Sequence, residues 1–131
     1  MKLKITVLFC LIITTVFNCK NEDITVVNRL MGGMSNYTYL IEVQGNKYTF
    51  RIPGKKAEKF VDRTIEKHHI DLVTKLELNN ETILLDLESG YKIAKYIEGQ
   101  PLSELNPLDY LEEAAEVLHK VHDSGLKSDF D

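Results

Sequence analysis

Between Ile24 and Ile52 the chain carries three runs in which apolar residues recur at strand spacing. Ile24 to Leu30 is rich in β-branched residues and stops at Gly32-Gly33. Tyr37 to Val43 is a second run of Tyr, Ile and Val. Gly45-Asn46 follows, and both residues tolerate positive φ, which predicts a tight hairpin turn there. In the third run, Lys47 to Ile52, Tyr48, Phe50 and Ile52 face one way while Thr49 and Arg51 face the other. Pro53-Gly54 ends it. The period then changes. Val61, Ile65, Leu72, Val73 and Leu76 recur at helical spacing and predict helix over 57–76, either straight or with a bend. After a turn at Asn79-Asn80, two more strands are expected, Thr82 to Leu87 and Tyr91 to Ile97, joined by Glu88-Ser89-Gly90. Gly99-Gln100-Pro101 is a short linker. A last helix is capped by Asn106, with Pro107 at its first position, and stops at Gly125. Its apolar face is Leu108, Leu111, Ala115, Leu118 and either Val121 or His122.

The expected class is therefore α+β: a five-stranded antiparallel sheet with a packed helix, followed by one further helix. A single internal helix cannot cover both faces of such a sheet, so one face must meet something else. The last helix could supply part of that cover. The N-terminal segment stands apart: a mostly apolar run from Ile5 to Phe17 follows Lys2 and Lys4. That pattern has two readings. One is the charged start and hydrophobic middle of a secretory signal; the run is short of the roughly 20 apolar residues of a transmembrane helix. Val16-Phe17-Asn18 before Cys19 also puts Phe and Asn where a lipoprotein signal wants small residues. The other reading is an amphipathic or buried helix packing on the first strand.

Composition narrows the class only a little. The chain has 131 residues, 44% apolar and 27% charged, with a formal net charge of -4, which suits one ordinary globular domain. Its lysines are scattered, with no basic stripe of the kind nucleic-acid binding requires, and membrane association is not expected of the folded part. Cys10 and Cys19 form no Cys-x-x-Cys pair and have no His at ligand spacing, so they read as reduced, incidental thiols.

Candidate chemistry gathers at a few points. Gly32 and Gly33, with Ser35 and Asn36 after them, could let backbone donors approach a phosphate, which a Cβ would block; they could equally be an ordinary glycine turn. Arg51 is either a phosphate-gripping cation on the polar side of its strand or a solvated one. Glu66, beside the buried helical stripe, is the carboxylate best placed to pair with it, with Glu58 and Asp62 as alternatives. His119 and His122 share a helix face without a third ligand and read as packing residues, so no metal site is expected.

Four segments, in order, resemble the bacterial choline kinases, within the choline kinase and aminoglycoside phosphotransferase group. Met31-Gly32-Gly33-Met34-Ser35-Asn36 before a Tyr-rich strand is similar to that family's first hairpin. Arg51-Ile52-Pro53-Gly54-Lys55 resembles its third-strand motif, and Lys92-Ile93-Ala94-Lys95-Tyr96-Ile97-Glu98-Gly99 its hinge. Leu118-His119-Lys120-Val121-His122 resembles the first helix of its large lobe. The matches span about Asp23 to Gly125.

The resemblance implies a protein-kinase-like N-terminal lobe over 23–98, with 99–131 as linker and first helix of a C-terminal lobe; residues 1–22 lie outside it and stand as a separate helix or signal-like segment. It implies an ATP site at Gly32, Gly33, Ser35, Asn36, Arg51, Glu66, Tyr96 and Ile97, the last two lying where the family's hinge backbone meets adenine. It also implies a cytoplasmic enzyme phosphorylating choline or a related amino alcohol, with Mg²⁺ as a requirement of the full-length family. An exported or membrane-anchored form through residues 1–19 is the alternative location. Phosphoryl transfer also needs a catalytic loop and a metal-binding Asp, which the family places beyond the helix at Leu118, so no catalytic residue is expected in this chain. His69-Ile70-Asp71-Leu72 mimics a catalytic loop but lies inside the expected helix, and Asp129-Phe130-Asp131 lacks the Gly of an Asp-Phe-Gly. The other readings are a stand-alone nucleotide-binding or interaction module and an exported lipoprotein-like domain.

Overall fold

The computed structural model describes residues 2–31 and 35–130, without the side chains of residues 2–7 and Glu58. Five strands, β1 (Ile24–Leu30), β2 (Asn36–Val43), β3 (Asn46–Pro53), β4 (Thr82–Leu85) and β5 (Lys92–Lys95), form one sheet in the order β1-β2-β3-β5-β4. All four pairings are antiparallel, as expected. The β2–β3 turn falls one residue earlier than the sequence suggested. Val43 pairs with Asn46, and the turn residues are Gln44 and Gly45, with φ of 51° and 78°. Only Gly45 of the expected dipeptide takes the left-handed conformation; Asn46 is already in the ladder.

Register assigns the two faces. Phe50 lies opposite Tyr39 and Ile93, whereas Arg51 lies opposite Thr38 and Lys92. Side chains alternate across a sheet, so one face carries Tyr48, Phe50 and Ile93 and the other carries Arg51 and Lys92. The apolar face holds the core: Ile41, Val43, Phe50 and Ile93 are fully buried or nearly so.

The cover for that face is the N-terminal helix α1 (Lys2–Phe17). Ile13 is completely buried in the sheet core, and Phe9, Ile12, Val16 and Phe17 pack around it. The Phe9 ring meets Phe50 edge-on with centroids 4.7 Å apart, and Phe17 tilts against Tyr48 at 4.6 Å. The inward residues follow an i, i+3, i+4, i+7, i+8 stripe, the geometry of a helix lying on a core. Leu8 and Leu11 point outward. Among the described residues, no helix is long and apolar enough to cross a membrane.

The opposite face receives α2 (Arg63–Thr74), which is shorter than the predicted 57–76. Residues Ala57–Lys59 form a separate 3-10 turn, and the backbone leaves helical geometry before the α2 cap at Asp62. Asp62 caps α2 by accepting hydrogen bonds from the N–H groups of Thr64 and Ile65. The last helix, α3 (Leu111–Asp123), is preceded by a 3-10 turn at Pro107–Tyr110, where Asn106 accepts from the Leu108 N–H. Every residue of α3 is exposed, so it supplies no cover for the sheet.

Candidate functional site

The polar sheet face and α2 enclose a cleft of about 670 Å³ lined by Asn36, Arg51, Arg63, Glu66 and Lys92, among others. Three elements deliver its charges. Arg51 comes from β3 and Lys92 from β5, directly opposite one another. Glu66 comes from the first turn of α2 and projects back toward the sheet, with Arg63 one turn before it.

Glu66 is the centre of the constellation. Its Oε1 accepts from Arg51 Nη1 at 2.6 Å and its Oε2 accepts from Arg63 Nη1, also at 2.6 Å. All three side chains are largely shielded, at 16%, 19% and 11% exposure for Glu66, Arg51 and Arg63. Burial pushes the Glu66 carboxyl upward, but the hydrogen bonds and positive charges of Arg51 and Arg63 outweigh it and hold the carboxyl below its usual range. Arg51 is not fully satisfied by this pair. Its Nε and Nη2 are buried with no hydrogen-bond partner among the described residues, and so is Asn36 Oδ1. A buried charged donor left unpaired is costly, and the two Arg51 nitrogens remain free to meet an acceptor.

Gly90 leaves the space that Arg63 occupies. A Cβ at Gly90 would lie 2.7 Å from Arg63 Nε and 2.8 Å from Pro53 Cγ, and its φ is +72°. Gly54 makes the other close approach. Its N–H donates to Ser35 O at 2.8 Å, and an added Cβ would fall 2.5 Å from that oxygen. This contact ties the start of β2 to the end of β3.

Of the eight positions expected at a nucleotide site, Gly32 and Gly33 lie outside the described residues. The structure brings Asn36, Arg51 and Glu66 together in the cleft. Ser35 lies next to it, in a second cavity of about 490 Å³ with Arg29, Gly54, Lys55 and Lys56. Tyr96 and Ile97 follow β5, outside the residues that line the cleft. The Tyr96 N–H is already used, donating to Lys47 O at 3.1 Å, and the Ile97 side chain is exposed. Of the two alternative partners for Arg51, Asp62 serves as the cap of α2, and the Glu58 side chain is outside the described residues.

Arg63 and Lys92 were not singled out in the sequence. Arg63 stands three residues before Glu66, a spacing at which helical side chains meet. Lys92 had no such signal, because only the β3–β5 register reveals its neighbour. The catalytic-loop mimic is ordinary helix: Asp71 pairs with Lys67 at 2.6 Å, and His69 Nε2 lies 2.8 Å from Ser128 Oγ. Phe130, of the other mimic, packs edge-on against His68.

Sheet, helix and cleft carboxylate together define a kinase-like small lobe. No family model matches the chain. Two curated relatives, both called Protein LicA and both from Haemophilus influenzae, are 32% identical over 97 residues and 31% identical over 94 residues. These matches cover 72% and 70% of this chain but only 29% and 35% of those proteins. Among solved structures, choline kinase LicA from Streptococcus pneumoniae aligns with a TM-score of 0.70 at 28% identity, covering 82% of this chain and 39% of that one. A LicA structure in complex with AMP aligns at 0.64 and 24% identity, covering 91% of this chain and 42% of that one. An ethanolamine kinase from Plasmodium vivax shares the fold at 0.63 and 18% identity, covering 81% and 28%. The chain belongs to the choline kinase family and has its kinase-like fold, and the partial coverage of its relatives fits an N-terminal lobe.

Proposed function

We propose that residues 23–98 are the ATP-binding lobe of a choline-kinase-like phosphotransferase, with 99–131 as the linker and first helix of the large lobe. The observation that carries this is the Arg51 guanidinium: one nitrogen anchored on Glu66, two more buried and without acceptors. An anchored guanidinium with unused donors suits a phosphate group, which it can grip through two parallel bonds. Glu66 orients Arg51, Asn36 lines the same cleft, and Ser35 lies in the cavity next to it; on this reading Gly32 and Gly33 belong to the phosphate-binding loop. Bound ATP supplies the phosphoryl group; this chain's residues hold its phosphates and, through the backbone at Tyr96 and Ile97, its adenine. Because the Tyr96 N–H is engaged by Lys47, the hinge donor on this reading is Ile97.

The cleft does not suit Mg²⁺. Both oxygens of Glu66 are taken by arginines, and Asp62 is committed to the cap of α2. On this reading the metal ligands and the catalytic base come from a C-terminal lobe, as does the pocket for choline or a similar amino alcohol. The likeness to a choline kinase and to a LicA solved in complex with AMP supports the substrate and nucleotide classes. Such an enzyme would work in the cytoplasm, where ATP is available.

A chimera tests the proposal. The whole chain, residues 1–131 with α1 kept as cover of the sheet, joined to the large lobe of the pneumococcal choline kinase in place of that enzyme's own matching segment, should form phosphocholine from ATP and choline. Arg51→Ala in that chimera should remove the activity, and the 131-residue chain alone should show none. Turnover by the chain alone, or a folded chimera whose activity ignores Arg51→Ala, would contradict the proposal.

A further inference from the structure

We propose that Lys92 is a second anion-binding cation of the cleft, taking a phosphate oxygen of the nucleotide beside Arg51; this rests on the nucleotide reading given above. The β3–β5 register places Lys92 directly across from Arg51 on the same face, and both line the same cavity. Like charges directly opposite one another destabilise a sheet, so this pairing is unfavourable until an anion joins it. The carboxylates at hand do not supply one. Glu66 spends one oxygen on Arg51 and the other on Arg63, and Asp62 caps α2. Lys92 has no ion-pair partner among the described residues.

Three cations, Arg51, Arg63 and Lys92, therefore share one carboxylate within the cleft. The buried, unpartnered Nε and Nη2 of Arg51 show that the acceptor is missing on the Arg51 side as well. The state of Lys92 agrees: burial, and then the charge of Arg51, lower its pKa from the ordinary lysine value against the attraction of Glu66. A phosphate placed between the two strands would neutralise both cations at once. Lys would act there as a flexible point charge beside the fixed fork of Arg51.

The test is binding to the 131-residue chain with three probes, ATP, inorganic tripolyphosphate and adenosine, by titration calorimetry or ligand-observed NMR. Lys92→Met should weaken ATP and tripolyphosphate by about tenfold, the scale of one charge-assisted contact, and leave adenosine unchanged. Lys92→Arg should restore most of the loss. Lys92→Met should also fold at least as stably as the parent, because it removes a like-charge pair, and a thermal melt checks this. A second readout is the Lys92 Cε resonance. Its pKa should rise when tripolyphosphate is added, with Arg51, Arg63, Glu66, Asp62 and His69 as the other charged or titratable groups lining the cleft. If Arg51→Ala weakens ATP while folded Lys92→Met does not, Lys92 is no phosphate contact and the inference falls alone. Binding that ignores both substitutions overturns the inference together with the nucleotide reading.

Discussion

Ile13→Ala is the sharpest test of how this fold closes. Ile13 is fully buried in the C-terminal half of α1, in contact with the sheet core. Truncation removes three carbons; at about 0.8 kcal/mol per buried methylene the transfer loss is roughly 2.4 kcal/mol. The cavity left under α1 adds to this, and large-to-small core substitutions of this type span about 2–5 kcal/mol. We expect about 3 kcal/mol, a large part of the roughly 5–15 kcal/mol that stabilises a domain. Leu11→Ala, two residues away and 60% exposed, is the control and should cost less than about 0.5 kcal/mol. Urea unfolding followed by far-ultraviolet circular dichroism reads both. With a slope of about 1–3 kcal/mol per molar urea, the Ile13→Ala midpoint should fall by on the order of 1–3 M. Equal, small shifts for the two variants would refute the packing of α1 on the sheet.

Two further outcomes follow from the cleft. The Glu66 carboxyl is held below its usual range in the folded state, so its stabilising contribution is present above the unfolded carboxyl value of about 4.3 and is lost as pH falls through the lower folded value. Glu66→Gln should lower stability near neutral pH by about 1–3 kcal/mol, the scale of hydrogen bonds to charged groups, and should flatten the acid limb of a melting-temperature series; an unchanged acid limb would contradict this. Gly90→Ala meets both a positive φ and the Arg63 and Pro53 side chains, and should cost about 1–3 kcal/mol by denaturant titration, whereas a neutral result would show that the Gly90 turn can shift away from Arg63.

The strands were readable because β3 alternates between the two sides of the sheet and β2 is rich in Tyr, Ile and Val, and Arg51 stood out as a cation on the polar side of a strand otherwise built for a core. Glu66 could be placed beside the helical stripe, and the structure sets it on Arg51. The role of the N-terminal segment was left open for a physical reason. Its outward positions include Leu8 and Leu11, so the sequence of α1 is apolar on both sides and shows no polar face to separate a packed helix from a signal. The break before α2 carried a signal in Asp62, a good cap residue just ahead of Arg63, which the apolar periodicity running across it obscured. Lys92 depended on strand register, which is set by tertiary pairing and cannot be counted along the chain.

The central claim is that nucleotide binds in the Arg51 cleft, and amide chemical-shift mapping of the 131-residue chain against ATP tests it most directly. The cleft is open to solvent, so affinity should be weak, about millimolar, or about 4 kcal/mol. Shifts should concentrate at Ser35 and Asn36, around Arg51 and from Tyr96 to Glu98. Arg51→Ala should abolish them, and Glu66→Gln should reduce them less. Shifts that map elsewhere, or that persist unchanged in folded Arg51→Ala, would contradict the account.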